Sequence, residues 1–140
     1  MSTPFAVALE LPAAHRYLNI ATACIAAWIE RIEDVPDRGM VSYALQLAVQ
    51  ETCANIVDHA YAGAEDGRIH IELSVQAEPR CLVAEIYDAG RPFEPGQARQ
   101  PDLEHGQERG YGLFLMNQLM DVVTYERLPG RNHWRLIKHF

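Results

Sequence analysis

The 140-residue sequence predicts an α+β fold, a two-layer sandwich in which a mostly antiparallel sheet is covered on one face by helices. Three observations carry this expectation. Stretches that alternate apolar and polar residues come in pairs, and the turns joining them are too short for anything but a hairpin. Two long segments repeat apolar residues at three and four, the spacing of a helix with one buried face. The order of the chain, strand, two helices, two strands, a polar loop, helix, two strands, leaves the helices to pack on one side of a common sheet.

Residues 5–11 alternate Phe5, Val7, Leu9 and Leu11 with small or charged residues, as a half-buried strand does, and Pro12 ends the run. Over 13–32, Leu18, Ala21, Ile25, Trp28, Ile29 and Ile32 recur at helical spacing. Pro36 and Gly39 mark a break at 34–39. The helix around which the chain is organised then spans about 41–61, with Leu45, Val49, Thr52, Ile56 and Ala60 on its buried face. After a turn at 63–67, residues 68–77 place Ile69, Ile71, Leu73 and Val75 on one side, and 81–87 supply a second strand beyond Glu78-Pro79-Arg80. Periodicity lapses from 94 to 109, a stretch rich in Pro, Gly, Gln and charge whose length is typical of a lid or binding segment. A third helix at 113–120 follows Gly110-Tyr111-Gly112, and strands 121–127 and 133–137 close the chain over a loop at 128–132.

Length and composition favour one domain, 1–140, with a real core: the hydrophobic fraction is 49% and the charged fraction 22%. A net charge of -7 without a cationic stripe argues against nucleic acid as a partner. Cys24, Cys53 and Cys81 lack C-x-x-C spacing and sit in apolar segments, which reads as free buried thiols. The longest apolar stretch, 20–29, is too short to span a bilayer, and no secretory leader pattern begins the chain, so a cytoplasmic location and no membrane partner are expected.

The candidate chemistry lies on the central helix and at two glycine-containing loops. Glu51, Asn55, Asp58 and His59 share a face adjacent to the apolar one, without a lysine or arginine among them. Alone, that is equally a solvated polar face. Asp88 stands where a strand stops, and its carboxylate suits an exocyclic amine while Gly90 lets backbone approach a flat ring; Asp-Ala-Gly also makes an ordinary turn. Gly106, Gly110 and Gly112 precede and open a helix, where backbone N–H groups and the positive helix end can face phosphate oxygens. Together they call for an anionic ligand carrying a purine, with Mg²⁺ on Asn55 and with Glu51, one turn earlier, placed to orient or deprotonate an attacking hydroxyl or water. There is no Walker-type phosphate loop and no G-x-G-x-x-G after the first strand. His59 reads as a structural residue at a helix end, and the other histidines lack metal-ligand spacing, so no zinc site is expected.

Glu51-x-x-x-Asn55-x-x-x-His59-Ala60-Tyr61, Asp88-x-Gly90-x-x-Phe93 and Gly110-Tyr111-Gly112-Leu113-Phe114-Leu115-Met116 resemble, in order, the N, G1 and G2 boxes of the gyrase, Hsp90, histidine kinase and MutL (GHKL) ATPase superfamily. Over nearly the whole chain the sequence resembles the small bacterial anti-sigma factor serine/threonine kinases. The resemblance implies the two-layer fold of that superfamily, with ATP or ADP and Mg²⁺ as cofactors and a lid at 91–109. It implies Glu51 as general base, Asn55 as Mg²⁺ ligand, Asp88 as acceptor from the adenine amine and Gly90 as the adenine-loop glycine. Gly110 and Gly112 would be the lid-hinge and phosphate-side glycines, and Phe93 and Leu113 would stand at the nucleotide with them. The implied activity is phosphorylation of a serine or threonine on a STAS-type anti-anti-sigma partner, coupled to sequestration of a sigma factor, commonly by a homodimer. The spread of glycines over Gly106-Gln107-Glu108-Arg109-Gly110 departs from a compact lid end. Two rivals stand beside it: a nucleotide-binding regulatory module without phosphotransfer, and the catalytic fragment of a histidine kinase.

Overall fold

The computed structural model describes residues 5–64, 66–94 and 111–140, with the backbone alone for 111–113 and 115. In chain order it contains β1 (Val7–Pro12), a 3-10 turn (His15–Tyr17), α1 (Leu18–Glu30), α2 (Arg38–Asn55), a π turn (Ile56–Ala60), β2 (Arg68–Ala77), β3 (Arg80–Asp88), α3 (Tyr111–Leu119), β4 (Val122–Leu128) and β5 (Arg131–His139). The strands form one sheet in the order β1-β2-β3-β5-β4, each neighbouring pair antiparallel, which is the α+β arrangement expected.

Because side chains alternate along a strand, the register sorts the sheet into two faces. One row of the inner face runs Val7, Leu73, Ala84, Leu136, Val123, and the next runs Leu9, Ile71, Ile86, Trp134, Tyr125. The third runs Leu11, Ile69, Asp88, Asn132, Arg127. Two apolar rows are thus followed by one that turns polar from β3 onward, and this is where the candidate site lies. The outer face carries Glu10, His70, Tyr87, His133 and Glu126 in register, with Tyr87 stacked on His133 at 4.4 Å between centroids.

The helices cover the inner face. α1 buries Leu18, Ala21, Ile25, Trp28 and Ile29, and α2 buries Val41, Ala44, Leu45, Ala48, Val49, Thr52 and Cys53. Complete burial of an Ile or Leu side chain contributes about 1.5–3 kcal/mol, so Ile25, Ile29, Leu45, Ile69, Ile71, Leu73 and Leu136 make the two layers hold together. α3 joins through Met116, whose sulfur lies 2.7 Å from the Thr52 hydroxyl, itself bonded to Ala48 O at 2.8 Å.

Several element ends differ from expectation, each for a local reason. α2 begins at Arg38, directly after Asp37 in a left-handed conformation (φ 51°), and the Arg38 guanidinium donates to Ile29 O at the end of α1. The segment expected to open the first helix forms a separate 3-10 turn before α1. β4 and β5 are joined not by a five-residue loop but by the two-residue turn Pro129-Gly130 between paired Leu128 and Arg131, with Gly130 at φ +74°. A Pro-Gly pair is suited to a turn that needs positive φ at its second central residue. β5 consequently starts at Arg131 and brings Asn132 into the sheet. Cys53 and Cys81 are buried and Cys24 half-buried, all three free. Among the described residues no helix is long and apolar enough to cross a membrane.

Candidate functional site

The site begins where α2 ends. After Asn55 the helix widens by one turn, so that Tyr61 N–H bonds Ile56 O at 3.0 Å, five residues back instead of four. π turns of this kind concentrate at functional sites because they redirect side chains and carbonyls. Here the last carbonyls leave the helix and meet the exit of β3. Ala60 O accepts Arg91 N–H at 2.7 Å, and His59 O accepts the Arg91 guanidinium at 2.9 and 3.3 Å. Gly90 has no room for a side chain, since a Cβ would stand 2.5 Å from Ala60 O. The Tyr61 hydroxyl donates to Arg68 O at 2.7 Å and accepts Ala89 N–H at 2.8 Å, and its ring lies where a Cβ on Gly67 would come within 2.6 Å. Asp88-Ala89-Gly90-Arg91 is therefore fastened to the π turn and Tyr61 through the backbone N–H groups of Ala89 and Arg91 and the Arg91 guanidinium.

From the sheet side Asp88 is held by β5, with Arg127 of β4 bonded to the same Asn132. Its Oδ1 accepts Gly90 N–H at 2.9 Å and the Asn132 amide at 2.8 Å. Oδ2 is buried and has no hydrogen-bond partner among the described residues. Asp88 is 5% exposed and Asn132 1%. Burial pushes the Asp88 carboxyl above its ordinary range, while the Asn132 amide, the Gly90 N–H and the nearby Arg127 guanidinium pull the other way. On α2, burial together with the Asp88 charge pushes the Cys53 thiol up to about 12, which keeps it a neutral, inert core group.

Asn55, Ile56, His59, Ala60, Asp88, Phe93, Asn132 and Trp134 enclose a cavity of about 10 Å³. Phe93 limits its size, with its ring edge-on to Trp134 at 5.0 Å and to Tyr125 at 5.4 Å. Space for one water remains.

Of the residues singled out from sequence, Asn55, Asp88 and Phe93 line this one cavity, and Gly90 packs against Ala60, which also lines it. Glu51 stands half-buried one turn back along α2, and Gly112 and Leu113 lie in the first turn of α3. Gly110, Gly106 and the candidate lid from 95 to 109 lie outside the described residues. The shared face of Glu51, Asn55, Asp58 and His59 does not persist through the π turn. Asp58 is exposed and pairs with His15 at 2.8 Å, whereas His59 turns to the cavity. Asn132, Tyr125, Arg127 and Arg91 were not anticipated. For Asn132 a signal existed: it falls in phase with Trp134 and Leu136, and an amide at a core position of a strand is a buried polar group that needs a reason.

The described residues contain no group of three or more His, Cys, Asp or Glu side chains that converge on a point.

Comparison with known proteins completes the picture. The family model described as a histidine kinase-like ATPase domain matches residues 11–138. A curated relative, the serine/threonine-protein kinase BtrW of Bordetella bronchiseptica, is 33% identical over 118 residues, covering 80% of this chain and 81% of its own. The serine-protein kinase RsbW of Bacillus pumilus is 29% identical over 139 residues, covering 89% and 80%. Among solved structures, the RsbU and RsbW domains of Rv1364c from Mycobacterium tuberculosis superpose with TM-score 0.69 at 17% identity over 98% of this chain, which corresponds to 32% of that longer one. The histidine kinase domain of the Erythrobacter litoralis EL346 blue-light activated kinase superposes with TM-score 0.58 at 18% identity, covering 92% of this chain and 61% of that one. The two superpositions establish a shared fold. With the matched family model and the BtrW identity, they place the chain in the histidine kinase-like ATPase domain family and, within it, among the serine/threonine-protein kinases of the BtrW and RsbW kind.

Proposed function

We propose that this kinase binds a Mg²⁺-chelated adenine nucleotide between the end of α2 and the Asp88–Arg91 turn. It would pass the terminal phosphate to a serine or threonine on a STAS-type anti-anti-sigma protein and hold a sigma factor in alternation with that partner. The observation that carries the nucleotide reading is Asp88 Oδ2, a buried acceptor with no partner among the described residues, beside the glycine that the closeness of Ala60 O demands. Leaving such an atom unpaired costs about 1–3 kcal/mol, a cost that a donor on the ligand, the exocyclic amine of adenine, removes. Entry of a planar base requires the Phe93 ring to give way, because the cavity of about 10 Å³ is far smaller than a purine.

Each remaining residue then has a role. Asn55 would offer its side-chain oxygen to Mg²⁺, an ion whose preference for oxygen donors suits an amide carbonyl. Bound there, the ion supplies neutralisation of the phosphate charge. Glu51 accepts the proton of the attacking hydroxyl as its oxygen bonds to the terminal phosphorus and the bond from phosphorus to ADP breaks. Gly112 and Leu113, in the first turn of α3, would flank the phosphates together with Gly110, which precedes α3 in sequence, where the positive helix end favours negative charge. The chain acts as a single domain, 1–140, with the lid at 91–109, as a homodimer in the cytoplasm.

The test is transfer of labelled phosphate from Mg-ATP to the cognate STAS protein. An acid-stable phosphoserine or phosphothreonine is expected, lost in Glu51→Ala while ADP still binds. Acid-labile phosphate on the acceptor would point to histidine kinase chemistry instead.

A further inference from the structure

We propose that Asn132 is a positioning residue that sets base specificity, by fixing which oxygen of Asp88 faces the ligand. This rests on the nucleotide reading above. The orientation of the amide follows from its neighbours. Its Nδ2 lies 2.8 Å from Asp88 Oδ1 and 2.8 Å from Arg91 O, both acceptors, with Gly90 O further off at 3.5 Å. Its Oδ1 receives the Tyr125 hydroxyl and, at 3.1 Å, the Arg127 guanidinium, which can only donate. A flipped amide would set oxygen against two acceptors and N–H against a cation, so a single orientation survives. Both hydrogens and both lone pairs are used. At 1% exposure Asn132 has nothing left to offer a ligand directly.

What it does offer is geometry. By occupying Oδ1, together with Gly90 N–H at 2.9 Å, it leaves Oδ2 as the carboxylate oxygen without a partner among the described residues, on a side chain that lines the cavity. Through Arg91 O, and through Tyr125, whose hydroxyl accepts Phe93 N–H at 2.8 Å, the same amide fixes the backbone that forms the cavity wall. Arg127 adds a bond to Gly90 O at 2.9 Å. An ionised carboxylate presenting one acceptor discriminates for a base edge that carries an amine and against one that carries a carbonyl at the same place. Discrimination of this type is large because the mismatched base leaves a buried acceptor facing an acceptor. The amide also donates to the charged form of Asp88. Among the described residues, Arg127 from β4 and the neutral Cys53 thiol from α2 also bear on that carboxylate, and His59 and Arg91 line the same cavity.

Calorimetric titration of the full chain with ADP and, separately, GDP, at pH 7.5 with Mg²⁺, tests this. Wild type is expected to prefer ADP by about a hundredfold or more. Asn132→Ala is expected to cut that ratio about tenfold, mainly through weaker ADP binding. Tyr125→Phe removes one donor to the amide without opening a large cavity, and should cut the ratio about threefold; it stands in if Asn132→Ala does not fold. Circular dichroism melts check folding of each. An ADP-to-GDP ratio unchanged in both variants, with both affinities falling in step, would make Asn132 merely structural and overturn the proposal while leaving the nucleotide reading intact. Wild type that binds neither nucleotide would overturn both.

Discussion

The two ends of the cleft are built on different principles. At the end proposed for the base, Asp88 lies inside a sheet row and is held from β5 and from its own turn, which the carbonyls of the π turn anchor through Arg91, so its position is fixed several times over. At the end proposed for the phosphates, Glu51 and Asn55 take their positions from the backbone of α2, and the described residues add only the start of α3, tied to α2 by Thr52 and Met116. The difference teaches where each kind of specificity belongs. Recognition of a rigid, flat base tolerates a preformed site. Transfer of a phosphate to a second protein needs an end that a partner can reach.

If the ends divide labour in this way, substitutions at them will fail differently. The largest effect is expected at Glu51. Glu51→Ala should lower the rate of phosphate transfer about 100- to 10,000-fold, with ADP affinity changed little, as measured by labelled transfer alongside calorimetry. Asp88→Asn should do the reverse, weakening ADP about ten- to a hundredfold, the worth of a hydrogen bond to a charged group, with the residual rate at saturating ATP much less affected. Both substitutions weakening binding equally would erase the distinction.

Next in size is the packing of the turn itself. Gly90→Ala places a methyl group 2.5 Å from the backbone oxygen of Ala60, which cannot swing aside as a side chain could, and should destabilise the fold by about 1–3 kcal/mol in urea unfolding. Thr52→Val removes the hydroxyl between α2 and α3 and is expected to cost about 1 kcal/mol. That is the smallest effect of the set.

Asp88 also couples the base end to pH. Its folded carboxyl is raised above the ordinary value of 3.8 by burial, so the fold binds that proton more tightly than the unfolded chain does. The resulting contribution to stability is fully present below 3.8 and is lost as pH rises through the folded value. Ligand binding runs the opposite way, because only the ionised carboxylate accepts from an amine. ADP affinity should therefore decline on acidification, beginning at higher pH than an ordinary aspartate would give. Asp88→Asn should flatten both profiles, which melting curves and titrations between pH 4 and about 8 would read out.

Much of this architecture was legible from the chain. The alternation of Ile69, Ile71 and Leu73 and the three-and-four spacing through Leu45, Val49 and Thr52 are direct consequences of burial on one face, and the structure buries all of these residues. Residues 55, 88 and 93, which the chain offers as parts of one ligand site, line one cavity in the fold. The π turn was not legible, because its cause is tertiary: the carbonyls of His59 and Ala60 bond Arg91 across the site, and no local propensity records that. Asp58 was grouped with Glu51 and Asn55 for the same reason, on a helical repeat that the π turn breaks. The pairing of Asp88 with Asn132 spans 44 residues and depends on the register set by the Pro129-Gly130 turn, so reading 128–132 as a loop hid it.

The measurement closest to the central claim is a calorimetric titration of the folded chain with ADP and Mg²⁺, wild type beside Asp88→Asn. Saturable one-site binding in wild type, weakened at least tenfold in the variant, is the expected result. Equal affinities in the two proteins, or no binding in either, would contradict it.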